Sequence, residues 1–498
     1  MAISAVELSD IQALLRFGHG RLKGATFFLL QIADRAAARA WLEAAKVTSA
    51  ADPPAPTALQ IALTCDGLQA LGIPDSVIAG FSPEFIAGMT GEESRARRLG
   101  DLGASDPSRW DWGRQGRAPH LAVLLYATTP DDVAAAGRAL QDTSWSSAFR
   151  VLAALETSDM DGIEPFGFAD GISQPVIDWE RRMPVATGDR IAYGNLSALG
   201  EFVLGYPNEY GKYTERPLLE AAQGAELPAA EDQPDKRDIG RNGTYLVLRQ
   251  LSQDVRGFWQ FLDREAQSDE AARRQLAEVM VGRTMSGWPL VPIGDRPLAG
   301  VGPKADDIRL NRFTYDGDPA GRRCPLGAHV RRANPRNADL PGHPGSLIAR
   351  LIRILGFSRG APQDDLMASV RFHRILRRGR EYGEALPPAA ALDAGSPQED
   401  RGLYFICLNA NIARQFEFVQ NAWIVGTKFN GLTGESDPLL GNRQPIAGCP
   451  ATDTFSIPQE NGVPRRVTGL PQFVTVRGGA YFFLPGIRAL RYLARAGA

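Results

Sequence analysis

The chain reads as an α+β protein made of two ferredoxin-like βαββαβ halves, each an antiparallel sheet covered by helices. Three observations point there. Short apolar strands and helix patterns follow one another in the order βαββαβ through the first half. The same order returns in the second half, without residue-level self-similarity between the two. Two helices on one face of an antiparallel sheet is the layered solution such an order allows.

In the first half, Ala25–Ala33 (ATFFLLQIA) is an apolar strand, and Asp34 suits the cap of a helix over Arg35–Lys46. The proline-rich Asp52–Pro56 breaks the chain, and Leu59, Ile61 and Leu63 then alternate as a half-buried strand. Asp66–Asp101 reads as short helices and loops, and the stretch around Trp110 and Trp112 as an irregular surface excursion. Leu121–Ala127 is the third strand. Thr129-Pro130-Asp131-Asp132 joins a hydroxyl cap, a first-turn proline and acids at the positive end of the dipole, so a helix runs from there to about Asp142. Phe149, Val151, Ala153 and Leu155 alternate as the fourth strand. Residues 1–199 then form one domain, 200–243 a connecting region rich in Pro, Gly and charge, and 244–498 a second domain. That domain has a strand at Thr244–Gln250, helices at Val255–Arg264 and Glu270–Arg283, and middle strands at Ser369–Leu376 and Leu403–Asn409. A disordered linker, Leu386–Asp400, separates these two strands. A helix at Ile412–Trp423 follows, then a strand or hairpin over Phe473–Leu484 that turns at Gly478-Gly479.

Bulk composition excludes several classes. Hydrophobic residues are 44% and charged residues 22% of 498, the balance of an ordinary globular protein. A net charge of −2 gives no electrostatic reason to expect nucleic acid or a membrane surface as partner. No apolar run approaches the roughly 18–20 residues that span a bilayer. The N-terminus shows neither a signal-peptide pattern nor twin arginines, so a cytoplasmic location is expected. Cys65, Cys324, Cys407 and Cys449 form no C-x-x-C pair. Glycine pairs such as Gly18 and Gly20 do not complete a nucleotide-binding fingerprint.

Five histidines occur: His19, His120, His329, His343 and His373. His329 stands out, within CPLGAHVRRANPRNADL (Cys324 to Leu340), behind a Cys-Pro corner and ahead of Arg331, Arg332 and Arg336. One neutral imidazole is enough to hold haem iron from one side, and nearby guanidinium groups can pair with haem propionates. A lone histidine equally suits a helix cap or a hydrogen-bonded loop. Cys324 is a second conceivable iron ligand. A further stretch, FGFADGISQPV (Phe166 to Val176), sets Asp170 among glycines and small apolar residues. Such desolvation is expected to raise its pKa and fit it for proton transfer. The competing reading is a turn carboxylate that bonds its own backbone.

The Gly167-x-x-Asp170-Gly171 pattern resembles the signature of the dye-decolourising (DyP-type) haem peroxidases. The G-A-H-x-R-x-x-N-P-R core around His329 is similar to their proximal-histidine segment. HRILRRGREYG (His373 to Gly383) resembles their distal-arginine strand, and RGLYFICLNANIARQFEFVQNAW (Arg401 to Trp423) the strand and helix that close the haem pocket. The resemblance implies two ferredoxin-like halves with one haem b in the C-terminal half, bound through His329. It implies Asp170 and Arg377 as the catalytic pair that cleaves hydrogen peroxide, through a ferryl porphyrin radical, to oxidise dyes, phenols or similar one-electron donors. Neighbouring arginines on a strand face opposite ways, so Arg378 leaves the pocket if Arg377 enters it.

Leu403 and Phe405, alternating on one strand, are candidates for the pocket wall or for ordinary core. Arg336, then Arg331, are the candidate propionate partners, although either could be a surface arginine paired to Asp339. The chain departs from the family at Asn411, where members place a carboxylate that hydrogen-bonds the proximal imidazole. Glu417 or an asparagine carbonyl is the expected substitute. Gly379 stands where some members carry asparagine. The partners implied are hydrogen peroxide and a small organic reductant, with no nucleic acid, no membrane and a possible homo-oligomer. Trp110, Trp112, Trp179, Trp259, Trp288 and Tyr382 are electron-relay candidates by type alone. Two other readings fit parts of the pattern: a haem-binding or iron-releasing protein with incidental peroxidase activity, and a catalytically silent α+β oligomer.

Overall fold

The computed structural model describes residues 5–182, 195–293, 308–336, 369–393, 395–446, 448 and 450–496; Asp339, His343 and Cys449 lie outside them. Gly24–Ile32 (β1) is apolar and buried at all but its last two positions. Asp34 accepts the backbone N–H of Ala37 and so starts helix Arg35–Ala44 (α1), which lays Ala38, Trp41 and Leu42 into the core. Thr57–Leu63 (β2) and Leu121–Ala127 (β3) follow. The Thr129 hydroxyl caps helix Pro130–Leu140 (α2), and Phe149–Glu156 (β4) completes the unit. Its order is β4-β1-β3-β2, antiparallel throughout.

The second half repeats this order. Thr244–Gln253 (β5) leads to helices Val255–Glu265 (α3), Glu270–Val281 (α4) and His329–Ala333 (α5). Short strands Leu376–Arg377 (β6) and Arg380–Tyr382 (β7) both pair with Gly402–Asn409 (β8), which pairs with β5. Val474–Leu484 (β9) lies on the other side of β5, giving β9-β5-β8-β6. The two units are fused into one sheet where β2 meets β9, at Leu63 and Phe483. Apolar clusters cover both faces of that sheet. A third cluster, with Phe166, Phe168, Phe258 and Trp259, ties the Phe166–Val176 stretch to α3 and α4. Among the described residues no helix is long and apolar enough to cross a membrane.

Four sequence expectations are corrected. Gly478-Gly479 makes no turn: β9 runs straight through with a register shift between Val476 and Gly478. The glycines serve close approach instead, since a Cβ on Gly478 would lie 2.4 Å from the Trp112 indole. Trp110 and Trp112 are therefore no surface excursion; each is 1% exposed, with its indole N–H on Ser105 O and Gln250 Oε1. The Ser369–Leu376 strand is a 3-10 turn over Ser369–His373 followed by the two-residue β6. The 386–400 linker holds a short helix, Pro388–Ala391, with Ala391 fully buried. Gly478→Ala overpacks the Trp112 contact and should cost about 1–3 kcal/mol, read as a lowered midpoint in thermal unfolding.

Candidate active site

His329 is the first residue of α5, and the loop before it is shaped by one carboxylate. Asp318 accepts the backbone N–H groups of Arg322, Arg323 and Cys324 at 2.8, 3.1 and 2.8 Å. Buried arginines then brace the short helix through backbone carbonyls. Arg331 donates to Asp318 O and Cys324 O over the Tyr315 ring. Arg332 donates to Trp423 O at 2.7 Å, and Arg336 to Asn311 O and Phe313 O with its guanidinium 3.8 Å from the Phe313 centroid. Arg331 and Arg336 thus lie behind the helix and do not line the cavity that His329 faces, contrary to a role on the propionates. Cys324 is also outside that lining, and burial pushes its thiol up to about 12.

The His329 Nδ1 lies 2.9 Å from Asp437 Oδ2. Burial raises the Asp437 pKa, but His329 and Arg332 outweigh it and hold the carboxyl below its ordinary range. An ionised carboxylate only accepts, so Nδ1 carries a proton, and Asp437 raises the His329 pKa against the effect of burial; in the neutral ring Nε2 is the nitrogen with a lone pair to offer a metal. Asp437 is held in turn by the backbone N–H groups of Leu439 and Leu440, both 2.9 Å from Oδ1. The carboxylate missing at Asn411 is therefore supplied from another segment. Asn411 instead caps Arg414 N, and Glu417 takes the Tyr481 hydroxyl and Arg95.

Across the cavity, Arg377 on β6 donates from Nη1 to Asp170 Oδ1 at 3.2 Å and from Nη2 to Ser173 O at 3.3 Å. The Arg377 N–H donates to Gln174 Oε1 at 3.0 Å, locking the 170–174 loop to the strand. Arg378 points the other way, onto Leu14 O and Leu15 O. The expected rise in the Asp170 pKa is reversed. Burial pushes it up, but the Arg377 guanidinium, the Gly171 N–H and His329 together more than offset this and leave the carboxyl below its ordinary value. Glu164 nearby is pushed up by burial to about 7, although it accepts from Phe166 N, Phe168 N and Gln253 Nε2.

One cavity of about 280 Å³ gathers His329, Asp170, Arg377, Leu403 and Phe405 in its wall, just under the roughly 300–1,000 Å³ usual for cofactor sites. Leu403 and Phe405 share a face of β8, as their alternation requires. Sequence reasoning missed Asp437, Gln174, Glu164, Arg283, Arg374 and His373. Arg283 and Arg374 bring positive charge to the wall. His373 stacks on Phe418 at 3.6 Å with Nδ1 on Arg414 O, and burial lowers its pKa to about 4. Of the relay candidates, Trp110, Trp112, Trp259, Trp288 and Tyr382 are buried.

No protein-family model matches the chain. It is 29% identical to a dye-decolorizing peroxidase of Mycetinis scorodonius, over 98% of this chain and 88% of that protein. It is also 29% identical to a multifunctional dye peroxidase of Amycolatopsis, over 91% and 85%. Solved structures agree: an ancestral D-type dye decolorizing peroxidase superposes with a TM-score of 0.73 at 25% identity, covering 98% of this chain and 99% of that one. The Auricularia auricula-judae decolorizing peroxidase gives 0.71 at 25%, covering 98% and 100%. The relatives and neighbours are oxidoreductases that act on peroxide. They are dye-decolourising (DyP-type) peroxidases, the family that the sequence motifs resemble. Such relatives imply a haem cofactor, hydrogen peroxide and an organic reductant. The residues present fit haem: a largely apolar cavity, an imidazole whose Nδ1 is held by an anion, and cationic wall residues.

Proposed function

We propose that the protein is a haem peroxidase that uses hydrogen peroxide to oxidise dyes, phenols or similar one-electron donors, with one haem b per chain. The observation that carries this reading is the convergence of His329 and the Asp170–Arg377 pair on one cavity. His329 Nε2 would hold the iron, with Arg283 and Arg374 toward the propionates. When bound, haem would supply a redox centre able to give peroxide two electrons and to regain them one at a time from donors. One peroxide takes two electrons, one from each of two donors, and two protons, and leaves as two waters.

The chain's own residues handle the protons and the charge. Asp170 is held anionic by Arg377, so its Oδ2 takes a proton from one peroxide oxygen and returns it to the departing oxygen. Arg377 donates toward the negative charge that develops there. Leu403 and Phe405 narrow the space beside them. Asp437 draws on the Nδ1–H of His329, which orients the ring and strengthens Nε2 as a donor. Asp437→Asn should weaken haem affinity about 10–100-fold, measured by haem transfer to an apo-globin. A carrier with incidental activity is not favoured, because the relatives are peroxidases.

The test is a spectrum of the haem-reconstituted protein before and after peroxide, with initial rates on an electron-rich dye. A porphyrin band that responds to peroxide, with dye turnover, supports the reading. Bound haem with no peroxide-dependent oxidation rejects it.

A further inference from the structure

Behind the cavity wall lies a second, smaller chamber of about 60 Å³. Leu251, Phe405, Phe416 and Val474 line both spaces, so one layer of side chains separates them. The far side of the chamber is polar. Arg249, opposite Phe405 in the β5–β8 pairing, is 3% exposed, and Asp101 is 1% exposed. Asp101 Oδ1 accepts from Arg249 Nη2. Among the described residues, Arg249 Nε and Nη1 and Asp101 Oδ2 have no hydrogen-bond partner. Ser105 Oγ accepts from Val476 N and Gln472 Nε2, so its own proton is free to donate.

Buried charged groups with open hydrogen-bonding positions are costly unless something fills them. The chamber offers donors from Arg249 and Ser105 and an acceptor from Asp101. An anion would meet the carboxylate, and a cation the guanidinium. A neutral hydroxylic molecule answers both. A cavity needs only about 10–15 Å³ to hold one water, so this space admits a few waters or one molecule with two joined oxygens. We propose that this chamber is a binding site for small neutral hydroxylic molecules, water and hydrogen peroxide, one side-chain layer from the haem cavity. Only the peroxide part rests on the peroxidase reading.

The test uses high-resolution crystals of the haem-loaded Asp170→Asn protein, frozen with and without a peroxide soak. Single-oxygen density bonded to Arg249 Nε or Nη1 and to Asp101 Oδ2 before the soak supports the site. Elongated two-oxygen density there after the soak supports peroxide; unchanged density removes peroxide from the proposal. A chamber with no density, or one that takes up xenon as apolar voids do, overturns it. The paired Arg249→Met/Asp101→Leu variant removes both charges together and should turn the chamber into a water-free, xenon-binding void. If that variant does not fold, the xenon result on the parent protein still decides. Ordered oxygens in the chamber, together with no dye turnover by the haem-loaded parent protein, would sink the peroxidase reading and leave the site standing.

Discussion

Asp170→Asn is expected to slow peroxide-dependent turnover about 10²–10⁴-fold while haem stays bound. The amide keeps the shape of the side chain, and the backbone N–H of residue 170 still reaches Gly162 O, as it does now at 2.9 Å. What is lost is a base held ionised by Arg377. An amide cannot take a proton from peroxide and hand it back. His329 and Asp437 are untouched, so the resting spectrum should match the parent protein. Stopped-flow mixing with peroxide measures the step directly, and a variant reacting at the parent rate would remove Asp170 from the mechanism.

Arg377→Leu should reduce the same step about 10²–10³-fold, and it carries a second signature in pH. In the parent protein the guanidinium holds the Asp170 carboxyl below its ordinary value. The active, ionised form therefore persists as pH falls, and the acid limb of the rate profile lies below the ordinary aspartate pKa of about 3.9. Without Arg377, only the Gly171 N–H and His329 oppose burial, so the carboxyl rises. The acid limb should then move to higher pH. An acid limb that stays in place would show that Arg377 does not set the charge of Asp170.

Much of this arrangement was legible in the sequence, for reasons that can be stated residue by residue. The βαββαβ order follows from strand and helix periods, and the two units keep the strand order it implies. The opposite directions of Arg377 and Arg378 follow from strand alternation alone. The pKa of Asp170 was misread because burial shows in neighbouring glycines and apolar residues, whereas Arg377 lies 207 positions away. Asp437 escaped for the same reason, 108 positions from His329, inside a Ser-Asp-Pro turn whose sequence signals only a cap. Arg331 and Arg336 were read as cations seeking anions. Buried guanidinium groups carry five donors, and here these brace backbone carbonyls, with Arg331 also 3.6 Å from Asp318 Oδ2. The bulge at Gly478 looked like a turn because a glycine pair marks both, and only Trp112 tells them apart.

The most direct test of the account is the visible spectrum of the haem-reconstituted His329→Ala protein, with and without added imidazole, beside His373→Ala. Loss of the parent spectrum in His329→Ala, its return with imidazole, and an unchanged spectrum in His373→Ala are the expected results. A parent-like spectrum in His329→Ala, or its loss in His373→Ala, would contradict the assignment of the iron to His329.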